Sequence, residues 1–286
     1  MQKILVTGAT GFIGNYVVEE LLRQDYQVIA SSSLEEKARL FPWFRKVQYK
    51  AFNLAEMDDT IDYFSFFDRP DILIHLAWEG LPNYKAAFHY EINLPRHFSF
   101  LQHMLRQGLG SLSVTGTCFE YGMHEGKLSE EMPSDPANAY AMAKDGLRKL
   151  LEEYRQTVPF DFKWIRLFYM YGRGQHPNSL LSQLQKALDE QATVFNMSGG
   201  AQVRDYLPVE TAAAYIVAIA VQQRVGGIIN CCSARPVSVR QLVENYLHER
   251  QAQIHLNLGH YPYADYEPMS FWGDDTKLNS ILYSAQ

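Results

Sequence analysis

Tyr140 and Lys144 stand four positions apart in a stretch whose apolar residues recur at helical spacing from Tyr140 to Tyr154. Such spacing sets phenol and ammonium on one helix face, a turn apart. A free tyrosine titrates near about 10 and is a poor acid or base at neutral pH. A fixed positive charge beside it favours the phenolate and brings the pKa down. A phenol tuned in this way can give a proton to a carbonyl or take one from a hydroxyl.

A second group of residues shows where the other half of such a reaction comes from. Gly8-Ala9-Thr10-Gly11-Phe12-Ile13-Gly14 has glycines at every third position, directly after the apolar run Lys3–Thr7 and before the helical pattern Asn15–Arg23. A strand, a glycine turn and a helix in that order make a dinucleotide-binding site. The first glycine permits the tight turn, the second lets backbone approach a pyrophosphate, and the third lets helix and strand pack closely. The helix N-terminus then offers unpaired N–H groups to the phosphates. Gly8, Thr10, Gly11, Phe12, Ile13 and Gly14 are therefore the expected cofactor contacts. The bound oxidised nicotinamide would add its charge to that of Lys144 beside the phenol.

The next strand, Gln27–Ala30, should end at the adenosine ribose. An acidic residue there suits the 2′-hydroxyl of NAD, and a basic one the 2′-phosphate of NADP. The chain has Ser31-Ser32-Ser33, then Glu35 and Glu36, with Lys37 and Arg39 beyond. Hydroxyls at Ser31 and Ser32 with cations nearby lean the expectation toward NADP over NAD.

These groups need a scaffold. Short apolar runs at Lys3–Thr7, Gln27–Ala30, Val47–Tyr49, Ile72–Leu76, Leu112–Thr115, Phe162–Leu167 and Gly227–Asn230 alternate with helical patterns, among them Leu94–Gln107 and Ala212–Val221. That alternation predicts an α/β fold, a doubly wound parallel sheet covered on both faces. The segments Tyr171–Asn178, Ser198–Val203 and His260–Gly273 are rich in Gly, Pro and aromatics and read as loops and small elements. The expected division is a Rossmann domain over 1–168 plus 206–232 and a smaller C-terminal substrate-binding lobe over 169–205 plus 233–286.

Composition narrows the class. Of 286 residues, 47 % are hydrophobic and 20 % charged, an ordinary globular balance. A net charge of −6 without a basic block disfavours a nucleic-acid partner. Ala212–Val221 is the longest apolar run at ten residues, against about 20 for a spanning helix, so no membrane segment is expected. The strand begins at Lys3, which leaves no room for a signal peptide. The three cysteines, Cys118, Cys231 and Cys232, fit a reduced, cytoplasmic compartment. Neither the cysteines nor His124 and the other histidines show metal-ligand spacing.

The glycine turn has one residue more between its first two glycines than the standard fingerprint, and in this it resembles the extended short-chain dehydrogenase/reductase superfamily. The likeness is to its nucleotide-sugar-modifying epimerase/dehydratase branch and extends over nearly the whole chain. It implies that Tyr140 and Lys144 are the catalytic pair. It also implies that Thr117, in Ser113-Val114-Thr115-Gly116-Thr117-Cys118-Phe119-Glu120-Tyr121-Gly122, hydrogen-bonds the reacting carbonyl while accepting elsewhere. Asn93 matches an asparagine that supports the lysine through water. Asn53-Leu54 matches a pair near the adenine, and His75-Leu76-Ala77 a segment flanking the phosphates, so that Asn53, Leu54, Leu76, Ala77 and Thr115 join the expected cofactor contacts. Arg204, in Arg204-Asp205-Tyr206, matches an arginine on the nucleotide or its diphosphate, with an Arg–Asp ion pair between domains as the structural alternative. Tyr169, where the family has Asn, and Asn178 complete the expected substrate contacts. Trp78, Tyr84, Phe119, Tyr121 and His176 are candidates to line a sugar pocket.

The resemblance also narrows the reaction. Family dehydratases carry acids directly after the Ser/Thr, where this chain has Cys118 and Phe119. Glu120 lies one place too far along and, in a strand-like stretch, would face the other way. A fucose-synthase-type cysteine would stand where Phe119 does. The expectation is reduction or oxidation at C4 of a nucleotide-activated sugar such as a 4-keto-6-deoxyhexose, with 4-epimerisation as the alternative. A non-catalytic dinucleotide sensor is disfavoured by the intact Tyr/Lys/Thr set. The family also implies a homodimer.

Overall fold

The computed structural model describes residues 2–283. In chain order the elements are β1 (Lys3–Thr7), α1 (Phe12–Arg23), β2 (Gln27–Ser32), α2 (Glu35–Ala38), β3 (Gln48–Ala51), α3 (Tyr63–Phe66), β4 (Ile72–His75), α4 (Leu94–Arg106), β5 (Ser111–Thr117) and β6 (Gly126–Leu128). Then come α5 (Ala139–Tyr154), β7 (Asp161–Leu167), β8 (Tyr169–Tyr171), α6 (Leu180–Asp189), β9 (Val194–Asn196), β10 (Val203–Pro208), α7 (Val209–Val221) and β11 (Gly227–Cys231). The chain ends in β12 (Pro236–Ser238), α8 (Val239–Glu249), β13 (His255–Asn257), β14 (Phe271–Gly273) and α9 (Thr276–Leu282).

Seven strands form one parallel sheet in the order β3-β2-β1-β4-β5-β7-β11. Its central strands are apolar on both sides, as burial between two helical layers requires; all four residues of β4 are buried. One face packs Val17, Val18 and Leu21 of α1 with Ala213, Ile216 and Val217 of α7. The other packs Phe100, Leu101 and Met104 of α4 with Leu147 and Leu151 of α5. Strand order reverses between β1 and β4, and in open α/β sheets ligands bind in the crevice at the carboxyl ends beside such a reversal.

The segments after residue 169 that read as loops and small elements include short strands, which pair among themselves and with β6. β8, β10 and β12 make a small sheet, β9 pairs with β13, and β6 pairs with β14. Three-residue strands carry too little periodicity to be read from sequence. A separate apolar cluster joins Leu181 and Leu184 of α6, Phe195 of β9, and Leu242, Val243 and Leu247 of α8. The long apolar run is a buried helix, as expected, and no helix of the described residues is long and apolar enough to cross a membrane.

Candidate active site

The glycine turn sits at the carboxyl end of β1, and its backbone explains each glycine. Gly8 has φ +72°, and a Cβ on it would lie 2.8 Å from the Ala77 amide nitrogen. This close approach brings the turn against the Leu76-Ala77 segment that follows β4. A Cβ on Gly14 would lie 2.1 Å from the Gly8 carbonyl oxygen, so α1 can pack here only as glycine. Around Gly11 a Cβ would meet the Gly8 oxygen alone, at 3.1 Å, which leaves its outer side open to a ligand. Gly11 is also the N-cap of α1, with no side-chain cap and no acid in the first turn. The first-turn N–H groups thus face outward without a protein carboxylate, as a pyrophosphate needs. The residues present fit a dinucleotide.

At the adenosine end Ser31 is buried, and the Ser32 hydroxyl pairs with the Tyr49 hydroxyl at 2.8 Å. Of the two cations on which the NADP reading leaned, Lys37 and Arg39, the second is engaged: Arg39 bonds Glu35 at 2.6 Å and lies over the Phe44 ring. Asn53 is the N-cap of the turn Leu54–Glu56, its Oδ1 accepting the Ala55 N–H and its Nδ2 donating to Glu56, which leaves one Oδ1 lone pair.

Tyr140, Lys144 and Thr117 come together at the carboxyl end of β5. Thr117 ends β5 and caps the following 3-10 turn, its hydroxyl accepting the Phe119 N–H at 3.3 Å, which leaves its O–H to donate. The Asn138 side chain caps α5, placing Tyr140 in the first turn with its side chain against Thr117. Lys144 is buried, and its Nζ donates to the Thr115 carbonyl at 2.9 Å. Asn93 ends a π-helical turn, His89–Asn93, packed on α5, and its amide donates to the Glu79 carbonyl at 3.0 Å. Such π-turns concentrate at functional sites.

Burial sets the electrostatics. It pushes the Tyr140 phenol well above its ordinary value, helped by Tyr84, Glu120 and Cys118 and opposed by the Thr117 hydroxyl. Burial pulls Lys144 down to about 7, with Glu120 opposing. The ammonium alone does not lower the phenol, because desolvation favours the neutral form of both groups; the sequence reading also counts the charge of a bound oxidised nicotinamide. A further positive charge against the ring would oppose that balance.

Glu120 corrects a second expectation. It lies in the 3-10 turn rather than a strand, fully buried, and accepts from the Thr117 N–H, Trp164 Nε1 and Arg166 Nε, all at 2.8–3.0 Å. Its carboxylate is committed to these donors, in keeping with the expectation that it takes no part in elimination. Gly116 makes room for this, since a Cβ there would lie 2.2 Å from Trp164 Nε1.

Residues 4–232 match the family described as NAD dependent epimerase/dehydratase. The chain belongs to this family. A dTDP-6-deoxy-L-talose 4-dehydrogenase (NAD(+)) of Aggregatibacter actinomycetemcomitans is 30 % identical over 94 % of this chain and 98 % of that protein. A UDP-glucose 4-epimerase of Neisseria meningitidis is 27 % identical over 86 % and 82 %. Among solved structures, the UDP-glucuronic acid 4-epimerase of Bacillus cereus in complex with NAD superposes with a TM-score of 0.83 at 22 % identity, covering 99 % of this chain and 91 % of that one. That likeness is one of fold.

Within this epimerase/dehydratase chain the substrate side departs most from the sequence reading. Arg204 is fully buried: Nη2 bonds Glu267 at 2.8 Å, Nη1 the Val203 and Met269 carbonyls, and the guanidinium lies 4.5 Å from the Phe271 ring centre. Its three nitrogens are engaged within the chain, where the sequence reading set it on a diphosphate. The Arg–Asp alternative is also replaced, because Asp205 accepts from Ser233, Ala234 and Gly273 instead. Tyr169 is packed against the Arg204–Glu267 pair, its hydroxyl without a hydrogen bond of normal geometry. Asn178 is exposed in the loop before α6. Of the five candidate pocket aromatics, three gather round Tyr140: Trp78 at 6.1 Å and Tyr84 at 5.6 Å between ring centres, and Phe119 perpendicular to Tyr84. Tyr121 instead bonds Asn230 in the core, and His176 lies on the surface. Tyr266 and the ion pair Lys85–Asp265, absent from the sequence reading, close the aromatic wall from the C-terminal segment. A surface depression of about 890 Å³ lies at the opposite, amino-terminal edge of the sheet, among Gln2, Asp71, Gly110 and Arg155, and touches none of these groups.

Proposed function

We propose that this protein is an oxidoreductase acting at C4 of a nucleotide-linked sugar, a 4-keto-6-deoxyhexose or its alcohol. The observation that carries the reading is the convergence of Tyr140, Lys144 and Thr117 at the end of β5, beside a glycine turn built for a pyrophosphate. In reduction, Tyr140 gives its proton to the C4 oxygen while the Thr117 O–H hydrogen-bonds the same atom. Lys144 supplies positive charge as the phenolate forms, and Asn93 holds the turn that packs against α5. The dinucleotide, when bound, supplies or accepts the hydride. The aromatic wall of Tyr84, Phe119 and Tyr266 keeps water from the reacting carbon. The absence of acids at Cys118 and Phe119 fits a reaction without elimination.

The similarity to a 6-deoxytalose 4-dehydrogenase supports the substrate class. We take NAD(H) as the working cofactor: the 6-deoxytalose 4-dehydrogenase relative is named for NAD(+), and Arg39, one of the two nearby cations, is paired with Glu35. We further propose that the segments after residue 168, apart from 206–232, act as the substrate lobe. We also infer a homodimer through α5 and the π-helical turn that leads into α4, where Met142 and Leu150 of α5 and Tyr90 and Ile92 of the turn are exposed apolar residues, and a reducing, cytoplasmic setting that suits three free cysteines. The 4-epimerase is the second reading, favoured by the UDP-glucose 4-epimerase relatives. Purified protein mixed with NADH or NADPH and a nucleotide-linked 4-keto-6-deoxyhexose tests both: stoichiometric NADH consumption is expected. Cofactor retained through purification, with a UDP-hexose converted to its C4 epimer and no net consumption, would overturn the dehydrogenase in favour of the epimerase.

A further inference from the structure

Trp78 follows His75-Leu76-Ala77 in the loop after β4, and its indole touches both members of the catalytic pair. The Lys144 Nζ lies over its face, 4.1 Å from the ring centre, and the Tyr140 ring meets it edge to face. The indole is itself clamped. Its other contacts are the His97 ring, stacked at 4.6 Å and 22°, and His89 Nδ1, which accepts from Trp78 Nε1 at 3.1 Å. His89 in turn bonds the Asn83 carbonyl through Nε2. His97 is anchored by His75 at 2.7 Å, and His75 by the Thr7 hydroxyl at 2.8 Å. Thr7 is the last residue of β1, directly before Gly8. A continuous chain of contacts, buried from Thr7 to His97 and half-buried at Trp78, therefore runs from the foot of the glycine turn to the ammonium.

We propose that Trp78 is a positioning residue of the reaction, its clamped indole face holding the Lys144 ammonium in place beside Tyr140. The inference rests on the reading of Lys144 given above. A cation over an indole face is attracted to it, most strongly where water is excluded. Lys144 is fully buried and, among the described residues, donates to one acceptor, the Thr115 carbonyl, so we assign the indole a share in keeping it charged. The groups facing it from other elements do not replace that share. His75, His89 and His97 are each held below their ordinary value, chiefly by burial, and so add no competing positive charge. Glu120, from the turn after β5, supports the ammonium but is itself paired with Arg166. On its own helix Tyr140 is neutral.

The test follows the Lys144 side chain by NMR in the free full-length protein with ¹³Cε-labelled lysine, the resonance assigned by its loss in Lys144→Arg. In Trp78→Leu the midpoint of the Lys144 titration should fall by about one pH unit, the size of a desolvated cation–π contact. Trp78→Phe, with a weaker π face, should fall between and keep the fold if the leucine variant does not. The upper pH limit of turnover should move by the same amounts and in the same order. An unmoved midpoint in both variants overturns the proposal. A midpoint that falls while the turnover profile stays fixed overturns instead the catalytic use of Lys144, and with it any part Trp78 has in the reaction.

Discussion

The two sides of the cleft were built by different means. On the cofactor side, at the ends of β1, β4 and β5, each functional group is placed by local backbone geometry: glycines that a Cβ would exclude, and a tyrosine and lysine one helical turn apart. On the substrate side, among β8, β10 and the segment before β14, side chains are placed by tertiary partners distant in sequence. Arg204 is the example: the guanidinium that would suit a phosphate is directed inward by Glu267, 63 residues away. Local geometry repeats wherever the sequence repeats, whereas a tertiary partner can be exchanged without altering the motif beside it.

The largest expected effect follows from the cofactor side. Gly14→Val puts side-chain carbon into the Gly8 carbonyl and should abolish dinucleotide-dependent turnover, with the Kd for NADH raised about 100-fold or more, some 2.8 kcal/mol by titration calorimetry. Gly11→Ala, whose Cβ would meet the Gly8 oxygen alone at 3.1 Å, should weaken NADH binding with a smaller loss of Tm than Gly14→Val. Equal loss of Tm in both would show that the turn serves the fold alone.

On the substrate side the contrast predicts a stability effect rather than a binding one. Arg204→Met leaves Glu267 without its buried partner and should destabilise by about 3–5 kcal/mol in urea unfolding. Arg204→Met combined with Glu267→Gln should recover most of that loss. A raised KM for the nucleotide sugar at unchanged stability would restore Arg204 to the diphosphate.

Two smaller effects come from the buried lysine. Its pKa is lowered on folding to about 7. The ammonium that reduction needs is therefore present below that value and lost as pH rises through it, so reductive turnover should decline across neutrality and above. The same burial opposes folding. Between the unfolded midpoint near about 10.4 and the folded one, the unfolded chain binds a proton that the folded chain does not, so stability from this group falls as pH is lowered through that window. Lys144→Met should accordingly be inactive yet melt about 2–4 °C higher at pH 7. A lower Tm would mean that the Thr115 and Trp78 contacts outweigh the desolvation.

The sheet was legible from the sequence because buried parallel strands are continuously apolar, and the glycine turn because backbone alone dictates it. Thr117 was legible only through family resemblance, since a strand-end hydroxyl has no periodic signature. Trp78 was visible as an aromatic near the site, but its stack on His97 joins the loop after β4 to α4 and leaves no mark in spacing. The fully buried Glu120–Arg166 pair was hidden for a similar reason: the sequence shows a glutamate in a strand-like stretch, and the 3-10 turn that redirects it depends on the capping by Thr117. Gly116, whose absent side chain makes room for Trp164 and Glu120, was the one local hint.

Everything proposed for the chemistry depends on the Tyr140 phenol exchanging a proton with the sugar oxygen. Turnover of Tyr140→Phe with a nucleotide-linked 4-keto sugar, measured beside its NADH affinity, tests this most directly. The expected result is a fall in kcat of about 10³-fold, within the range for a lost general acid, with NADH binding retained. Turnover at the native rate in that variant would contradict the assignment.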